Sequence, residues 1–321
     1  MFYSARELDS FRKDHNLAVA VLQELIDAMQ AGQQLSIAEE DFVASWLDVA
    51  RRENNERLSL HDYPACKKFL FKRNFLMYQG NFSGDLPVNT PLGRVPSNEV
   101  VKDVAFLDEQ YQEWLSDMRK GNHSEPLLQY VSAETRNQLK NNAAFAAKLH
   151  YGQRLKAATE KALVLHSKYF FYKVKQYFQE LGSPEILLDK CGHKIIIDAY
   201  SYYHILIRHY AKDAMPHQAD KSYHSDQSID PENLPDELQE IIEDYFDTVG
   251  CTAFNSARLY ITINGLLYAI WFKSFEWHRK GQPKESVLRL QTFYPIILRS
   301  EEASAANLSR RLSVSGRVFY A

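Results

Sequence analysis

The residues best suited to chemistry lie in two short stretches. One runs Tyr203-His204-Ile205-Leu206-Ile207-Arg208-His209, and the other Gln291-Thr292-Phe293-Tyr294-Pro295. A histidine with an ordinary pKa of about 6.5 exists in both protonation states near neutrality, so it can take or give a proton. An arginine offers a fixed fork of donors to a phosphate oxygen. Thr292 and Tyr294 add hydroxyl donors. At about 100° per residue, Arg208 falls about 40° from His204, on the face that also carries Ser201. Tyr202, Tyr203, Leu206 and Tyr210 gather on the opposite, apolar side, and His209 sits about 140° from His204 at its edge. The spacing therefore pairs His204 with Arg208 and sets His209 apart, and one of the two histidines can be structural. Period-two alternation puts Leu288, Leu290, Thr292 and Tyr294 on one strand face, with Arg289 and Gln291 on the other. Taken singly, a helical histidine is most often a boundary or core residue, and Thr and Tyr are ordinary strand residues.

These side chains need elements to hold them. Lys194 to Asp198 is a β-branched run and reads as a strand. Ala199 to Lys212 reads as a helix, Ala214 to Pro235 as a loop, and Pro235 to Phe246 as a second helix. Leu259 to Ile263 and Leu266 to Phe275 flank Asn264-Gly265, a strong two-residue hairpin signal. That turn sets Ile263 opposite Leu266, Ile261 opposite Tyr268 and Leu259 opposite Ile270, three apolar pairs on one face. Arg258, Tyr260, Thr262, Trp271 and Lys273 take the other face. After a polar loop at 277–284 comes a third strand, Val287 to Tyr294, and then a tail, Arg299 to Ala321.

Upstream the chain reads as helices. Asn16 to Met29 has Leu17, Val21, Leu22, Leu25 and Ile26 at helical spacing. Ser36-Ile37-Ala38-Glu39 is a capping box opening a helix with Phe42, Val43, Trp46, Leu47 and Ala50 on one face. Asp62 to Tyr78 is a third helical segment. Gly80 to Ser97 reads as a long loop, Gly121 to Pro126 as an interruption, and Ser132 to Leu181 as one long helix or two. Gly182-Ser183-Pro184 ends it. The expected fold is α+β: a helical domain over 1–184 (with a loop at 80–97), an α+β domain over 185–298, and a tail over 299–321. Helices in the second domain should pack on an antiparallel sheet of about four strands.

The order of strand, helix bearing His204-Ile205-Leu206-Ile207-Arg208-His209, hairpin, and last strand ending Thr292-Phe293-Tyr294-Pro295 resembles the barnase–EndoU–colicin–RelE group of ribonucleases. Its phage- and toxin-associated branches are the nearest in pattern. The resemblance covers roughly residues 185–298 and says nothing of the N-terminal half. It implies metal-independent cleavage of single-stranded RNA by attack of a 2′-hydroxyl on the adjacent phosphate, in a toxin, defence effector or phage-derived nuclease. By that resemblance one of His204 and His209 is the base or acid, and Arg208 clamps the phosphate. Thr292 and Tyr294 donate to it, while Lys273, Arg258 and Tyr260 bind substrate. No cofactor or metal is implied. A protein inhibitor, or a homo-oligomer through the N-terminal helices, would suit such a protein. The rival expectation is a non-catalytic interaction protein using an aromatic-rich surface.

Composition bounds both. The 19 tyrosines and 18 phenylalanines suit core anchors and a partner surface, or stacking of unpaired bases. A net charge of −3 gives no global attraction to nucleic acid, so an RNA surface must be a local basic patch. Cys66, Cys191 and Cys251 form no CxxC pair and are expected as buried small hydrophobes, not disulfide partners. His217 and His224 with Asp220 and Asp226 have no metal-site spacing. The N-terminus has no signal-peptide pattern, and the longest apolar run, Leu266 to Phe272, is too short to span a bilayer. The expected location is the cytoplasm.

Overall fold

A computed structural model describes residues 2–33, 35–40, 42–43, 88–90, 93–95, 97–150, 152–211, 222–224, 229–254, 257–277 and 284–321. Outside the described residues lie the helical segment expected at 62–78, Trp46, Leu47 and Ala50, Cys66, most of the 80–97 loop, most of the polar loop at 277–284, and His217, Asp220 and Asp226.

The chain divides into two compact units: Met1–Tyr172 with Asp213–Ala219 and Asp230–Glu232, and Lys173–Lys212 with Asp220–Ile229 and Asn233–Ala321. Among its described residues the first is helical apart from one short hairpin. Helix α1 spans Ala5–Phe11 and opens on a capping box in which Ser4 and Glu7 satisfy each other's backbone N–H groups. Helix α2, His15–Gln30, is capped by Asp14 and buries Val21, Leu22, Leu25 and Ile26, while Leu17 stays exposed. The box expected at Ser36 is present. Glu39 Oε2 accepts from Ser36 N at 2.8 Å, and Ser36 Oγ accepts from Glu39 N at 3.2 Å. Its helical residues Phe42 and Val43 are fully buried. Within the expected loop the chain forms two strands, β1 (Val88–Thr90) and β2 (Gly93–Val95), paired antiparallel. Helices α3 (Ser97–Arg119), α4 (Pro126–Lys148) and α5 (Gln153–Leu181) follow. The 132–181 stretch is therefore two helices, broken where His150 takes a left-handed conformation with φ 54°. Trp114 on α3 fixes the helix packing by donating its indole N–H to the buried Ser167 hydroxyl at 2.7 Å.

The second unit is α+β around a mixed sheet. Its strands are β3 (Glu185–Lys190), β4 (His193–Asp198), β5 (Arg258–Ile263), β6 (Leu266–Trp277), β7 (Glu285–Pro295), β8 (Arg310–Leu312) and β9 (Val318–Tyr320). They lie in the order β3-β4-β7-β6-β5-β9-β8, with β4 and β7 parallel and the other pairs antiparallel. The sheet thus has seven strands and mixed pairing, not about four antiparallel ones. The additions are β3, which forms a hairpin with β4, and the tail, which makes helix α8 (Arg299–Ala306) and then adds β9 and β8 beside β5. Helix α6 (Ala199–His209) follows β4 directly, and α7 (Leu234–Val249) buries Leu238, Ile241, Ile242, Tyr245 and Phe246.

The β5–β6 hairpin has the register its turn dictates, with Ile263 opposite Leu266, Ile261 opposite Tyr268 and Leu259 opposite Ile270. Asn264 and Gly265 hold φ of 49° and 82°, the left-handed pair that a tight hairpin of this twist requires.

Strand β7 departs from simple alternation. Trp271 faces Thr292, but the next residue, Phe272, faces Leu290, so Gln291 is an extra residue in a β-bulge. Cross-strand partners share a face, and neighbours on β6 alternate. Leu288 and Leu290 therefore lie with Phe272 on one face, while Thr292 and Tyr294 lie with Trp271 and Ala269 on the other. The continuous stripe from Leu288 to Tyr294 does not form.

The cysteines also differ from expectation. Cys191 and Cys251 are exposed and joined in a disulfide, with Cα atoms 5.4 Å apart. Each sits beside a glycine of positive φ, Gly192 or Gly250, in a surface turn. Such turns present side chains outward, which is why neither cysteine serves as a core hydrophobe. Among the described residues no helix is long and apolar enough to cross a membrane.

Candidate functional site

Helix α6 begins where β4 ends, because Asp198 both closes the strand and caps the helix. Its carboxylate accepts from Ser201 N at 2.9 Å and pairs with Arg289 at 3.0 Å. Arg289 in turn lies over the rings of Phe275 (3.6 Å) and Tyr200 (4.9 Å). Beyond the short β4 pairing, α6 serves the edge of β7. Ser201 Oγ, fully buried, donates to the Leu290 carbonyl at 2.6 Å, and Gln291 Nε2 donates to the Tyr200 hydroxyl at 2.9 Å.

The last residue of α6 is His209, which is 7% exposed. Its Nδ1 lies 2.7 Å from the Ser222 carbonyl, and its Nε2 lies 2.9 Å from Thr292 Oγ1. A carbonyl only accepts, so Nδ1 carries a proton. In the neutral ring Nε2 then accepts from the Thr292 hydroxyl. The imidazole also stacks on Tyr294, centroids 5.3 Å apart and planes 14° apart. Three of the five expected catalytic side chains, His209, Thr292 and Tyr294, thus share one cluster.

The segment 222–224 completes it. The His224 backbone N–H donates to the His209 carbonyl at 3.0 Å, and His224 Nε2 donates to the Phe293 carbonyl at 3.1 Å. The His224 ring stacks between Tyr210 (4.5 Å, 12°) and Tyr268 (5.7 Å, 16°). In an unbroken strand the carbonyls of residues 290 and 293 would point to opposite edges. The extra residue at Gln291 turns both to the edge where Ser201 and His224 meet them. In the sequence His224 stands out only as one residue of a polar loop without metal-site spacing. Its place among aromatic rings carries no local motif, since its partners come from three other elements.

The remaining expected residues lie elsewhere. His204 stacks on Tyr200, 5.9 Å away and 20° from parallel. Burial first, then the neighbouring positive charges of Arg208 and His209, hold its pKa down at about 3. A ring that neutral supplies no proton at physiological pH and is a weak base. Arg208 is half-buried close enough to act on His204. Burial pushes the Tyr294 phenol above its usual pKa. Its hydrogen bond to Glu301 at 3.0 Å and that carboxylate's charge add to the rise, while the charge of Arg258 opposes it. Tyr294 therefore stays a protonated donor.

Of the expected substrate-binding residues, Lys273 is exposed on the face that carries Thr292. Arg258 and Tyr260 are drawn into an aromatic group instead. The guanidinium lies 4.0 Å from the Trp271 ring centroid and donates to the Tyr260 hydroxyl at 2.6 Å. Tyr260, Ala269, Ile296 and Ala305 form a small core beneath α8. Among the described residues no group of His, Cys, Asp and Glu is arranged to hold a metal ion.

Set against known protein families, characterised proteins and solved structures, the chain finds no match in sequence or fold.

Proposed function

We propose that the C-terminal α+β unit is a metal-independent endoribonuclease centred on His209 and Thr292. The observation that carries this reading is the fixed tautomer: Nδ1–H is pinned by the Ser222 carbonyl, so the Nε2 lone pair faces a hydroxyl. In the reaction a substrate 2′-hydroxyl takes the place of the Thr292 hydroxyl and gives its proton to Nε2. Its oxygen attacks the adjacent phosphorus and the bond to the 5′-oxygen breaks. The leaving oxygen takes a proton from solvent, giving a 2′,3′-cyclic phosphate and a 5′-hydroxyl. Thr292, released from His209, donates to a phosphate oxygen, and Tyr294, whose one hydroxyl hydrogen goes to Glu301, adds a second donor when it leaves that carboxylate. Lys273, exposed on the face that carries Thr292, meets the RNA backbone, while Arg208 stays beside His204, outside the cluster. The substrate class is single-stranded RNA, whose unpaired bases reach aromatic side chains. RNA as substrate implies action in the cytoplasm. A reducing cytoplasm opens bonds such as Cys191–Cys251, so there the two residues would be thiols. The helical unit would serve delivery, self-association or an inhibitor.

The rival reading makes the same cluster a structural polar link in a non-catalytic interaction protein. The burial of His209 favours it. The two separate on His209→Gln and Thr292→Val variants that keep the wild-type melting temperature. Loss of RNA cleavage by about 100-fold or more in His209→Gln fits a proton-transfer role. Folded variants as active as wild type, or a wild type without cleavage, leave the structural link.

A further inference from the structure

A second place in the α+β unit has the makings of a ligand site, and it needs none of the His209 chemistry. At the ends of β5 and β9 a cavity of about 440 Å³ opens, lined by Tyr245, Ala253, Arg258, Tyr260, Ser304 and Tyr320 among others. That volume lies in the range of small-molecule sites, which combine apolar and aromatic walls with a few placed polar groups.

Arg258 is the charged side chain among the lining residues, beside the hydroxyls of Tyr260, Ser304 and Tyr320 and the backbone of Ala321. Arg258 is half-buried, and no carboxylate among the described residues pairs with it. Its positive charge rests on the faces of Trp271 at 4.0 Å and Tyr260 at 5.6 Å, and one of its N–H groups goes to the Tyr260 hydroxyl. The fork retains further donors. The Tyr260 oxygen, already accepting from Arg258, has its own hydrogen left to give. A half-buried guanidinium satisfied only by rings and one phenol is a charge still short of an anion. Nearby acids are engaged elsewhere: Glu301 accepts from Tyr294, and Asp244 holds Arg317 and Ser315. The other walls are tyrosine rings and small apolar side chains, which suit a flat ring and offer no second cation for a polyanion.

We propose that this cavity binds a small planar-ringed anion of mononucleotide size, with its phosphate or carboxylate on Arg258 and Tyr260 and its ring against the tyrosine walls. The Trp271 indole, in contact with the guanidinium, reports the event through its fluorescence.

The test titrates the full-length protein with adenosine 5′-monophosphate and, separately, with indole-3-acetate, reading heat by calorimetry and tryptophan emission. Adenosine and inorganic phosphate serve as controls that each carry half of the recognised chemistry. The expected result is saturable binding of at least one of the two anions, which decides between phosphate and carboxylate. Either control should bind at least about 10-fold more weakly. Arg258→Met should weaken the bound anion by about 10-fold or more. Ser304→Trp, which fills the cavity from an exposed position on α8, should abolish binding without removing any buried group. His209→Gln should bind as wild type does, so loss of RNA cleavage and loss of this site are separable results. Failure of both anions to bind at millimolar concentration overturns the proposal, as does unchanged affinity in folded Arg258→Met and Ser304→Trp.

Discussion

At the scale of single residues, the two histidines of α6 are sorted by environment. His204 faces burial and the Arg208 charge; His209 faces a carbonyl and a hydroxyl. The first has a consequence for stability. Its folded pKa of about 3 lies below the 6.5 of the unfolded chain, so between those values the unfolded state holds a proton that the folded state lacks. Stability therefore falls as pH drops from 6.5 towards 3, by roughly 1.4 kcal/mol per unit at most. A His204→Leu protein should lose less stability than wild type over pH 6.5 to 4 in urea titrations; parallel slopes would show that His204 takes up its proton in the folded state. The residue types needed for a site were legible in the sequence, and their grouping was not. Helical angles paired His204 with Arg208 correctly as neighbours. They could not show that His209, at the end of the helix, meets Thr292, because that contact depends on where β7 runs.

At the scale of elements, local chemistry and strand pairing decided what could be read. Asn264-Gly265 fixed the β5–β6 register because two left-handed residues in succession allow only one turn geometry. Gly265→Ala should cost roughly 1–2 kcal/mol in a denaturant melt, whereas Asn264→Gly should stay within a few tenths. Equal effects at both positions would mean that the turn does not hold the register. The β7 bulge was invisible, since Gln291 is neither glycine nor any other conformational marker, and its extra residue put Leu290 and Thr292 on opposite faces. Its support comes from α6. Ser201→Ala would leave the Leu290 carbonyl without its buried donor, a loss of about 1–3 kcal/mol. A near-neutral Ser201→Ala would show that the edge is held by other contacts. Strand β3 escaped notice because Ile186 and Leu188 give only two buried positions in six residues. Strands β8 and β9 are three residues each and become strands by pairing, β9 with β5 and β8 with β9, a long-range event without a local signal.

At the scale of the molecule, the α+β class and the helical first part followed from periodicity and breakers. The disulfide did not. Its cysteines are 60 residues apart, and only the fold brings the β3–β4 turn to the segment after α7. Closing a loop of that size removes unfolded-state entropy on the order of 4 kcal/mol. Reduction by dithiothreitol should lower the melting temperature of the α+β unit, and a Cys191→Ser, Cys251→Ser protein should match the reduced form. No change on reduction would show that the bond is absent in solution. The net charge of −3 asks any RNA-binding surface to be local; on the proposed reading the exposed Lys273, on the Thr292 face, would contribute to it, whereas Arg258 is drawn into the aromatic group. We propose that His209 and Thr292 form a metal-free RNA-cleaving centre. Its most direct test is to incubate purified protein with single-stranded RNA in excess EDTA and identify the new ends. The geometry predicts cleavage with a 2′,3′-cyclic phosphate and a 5′-hydroxyl; intact RNA, or cleavage that EDTA abolishes, would contradict it.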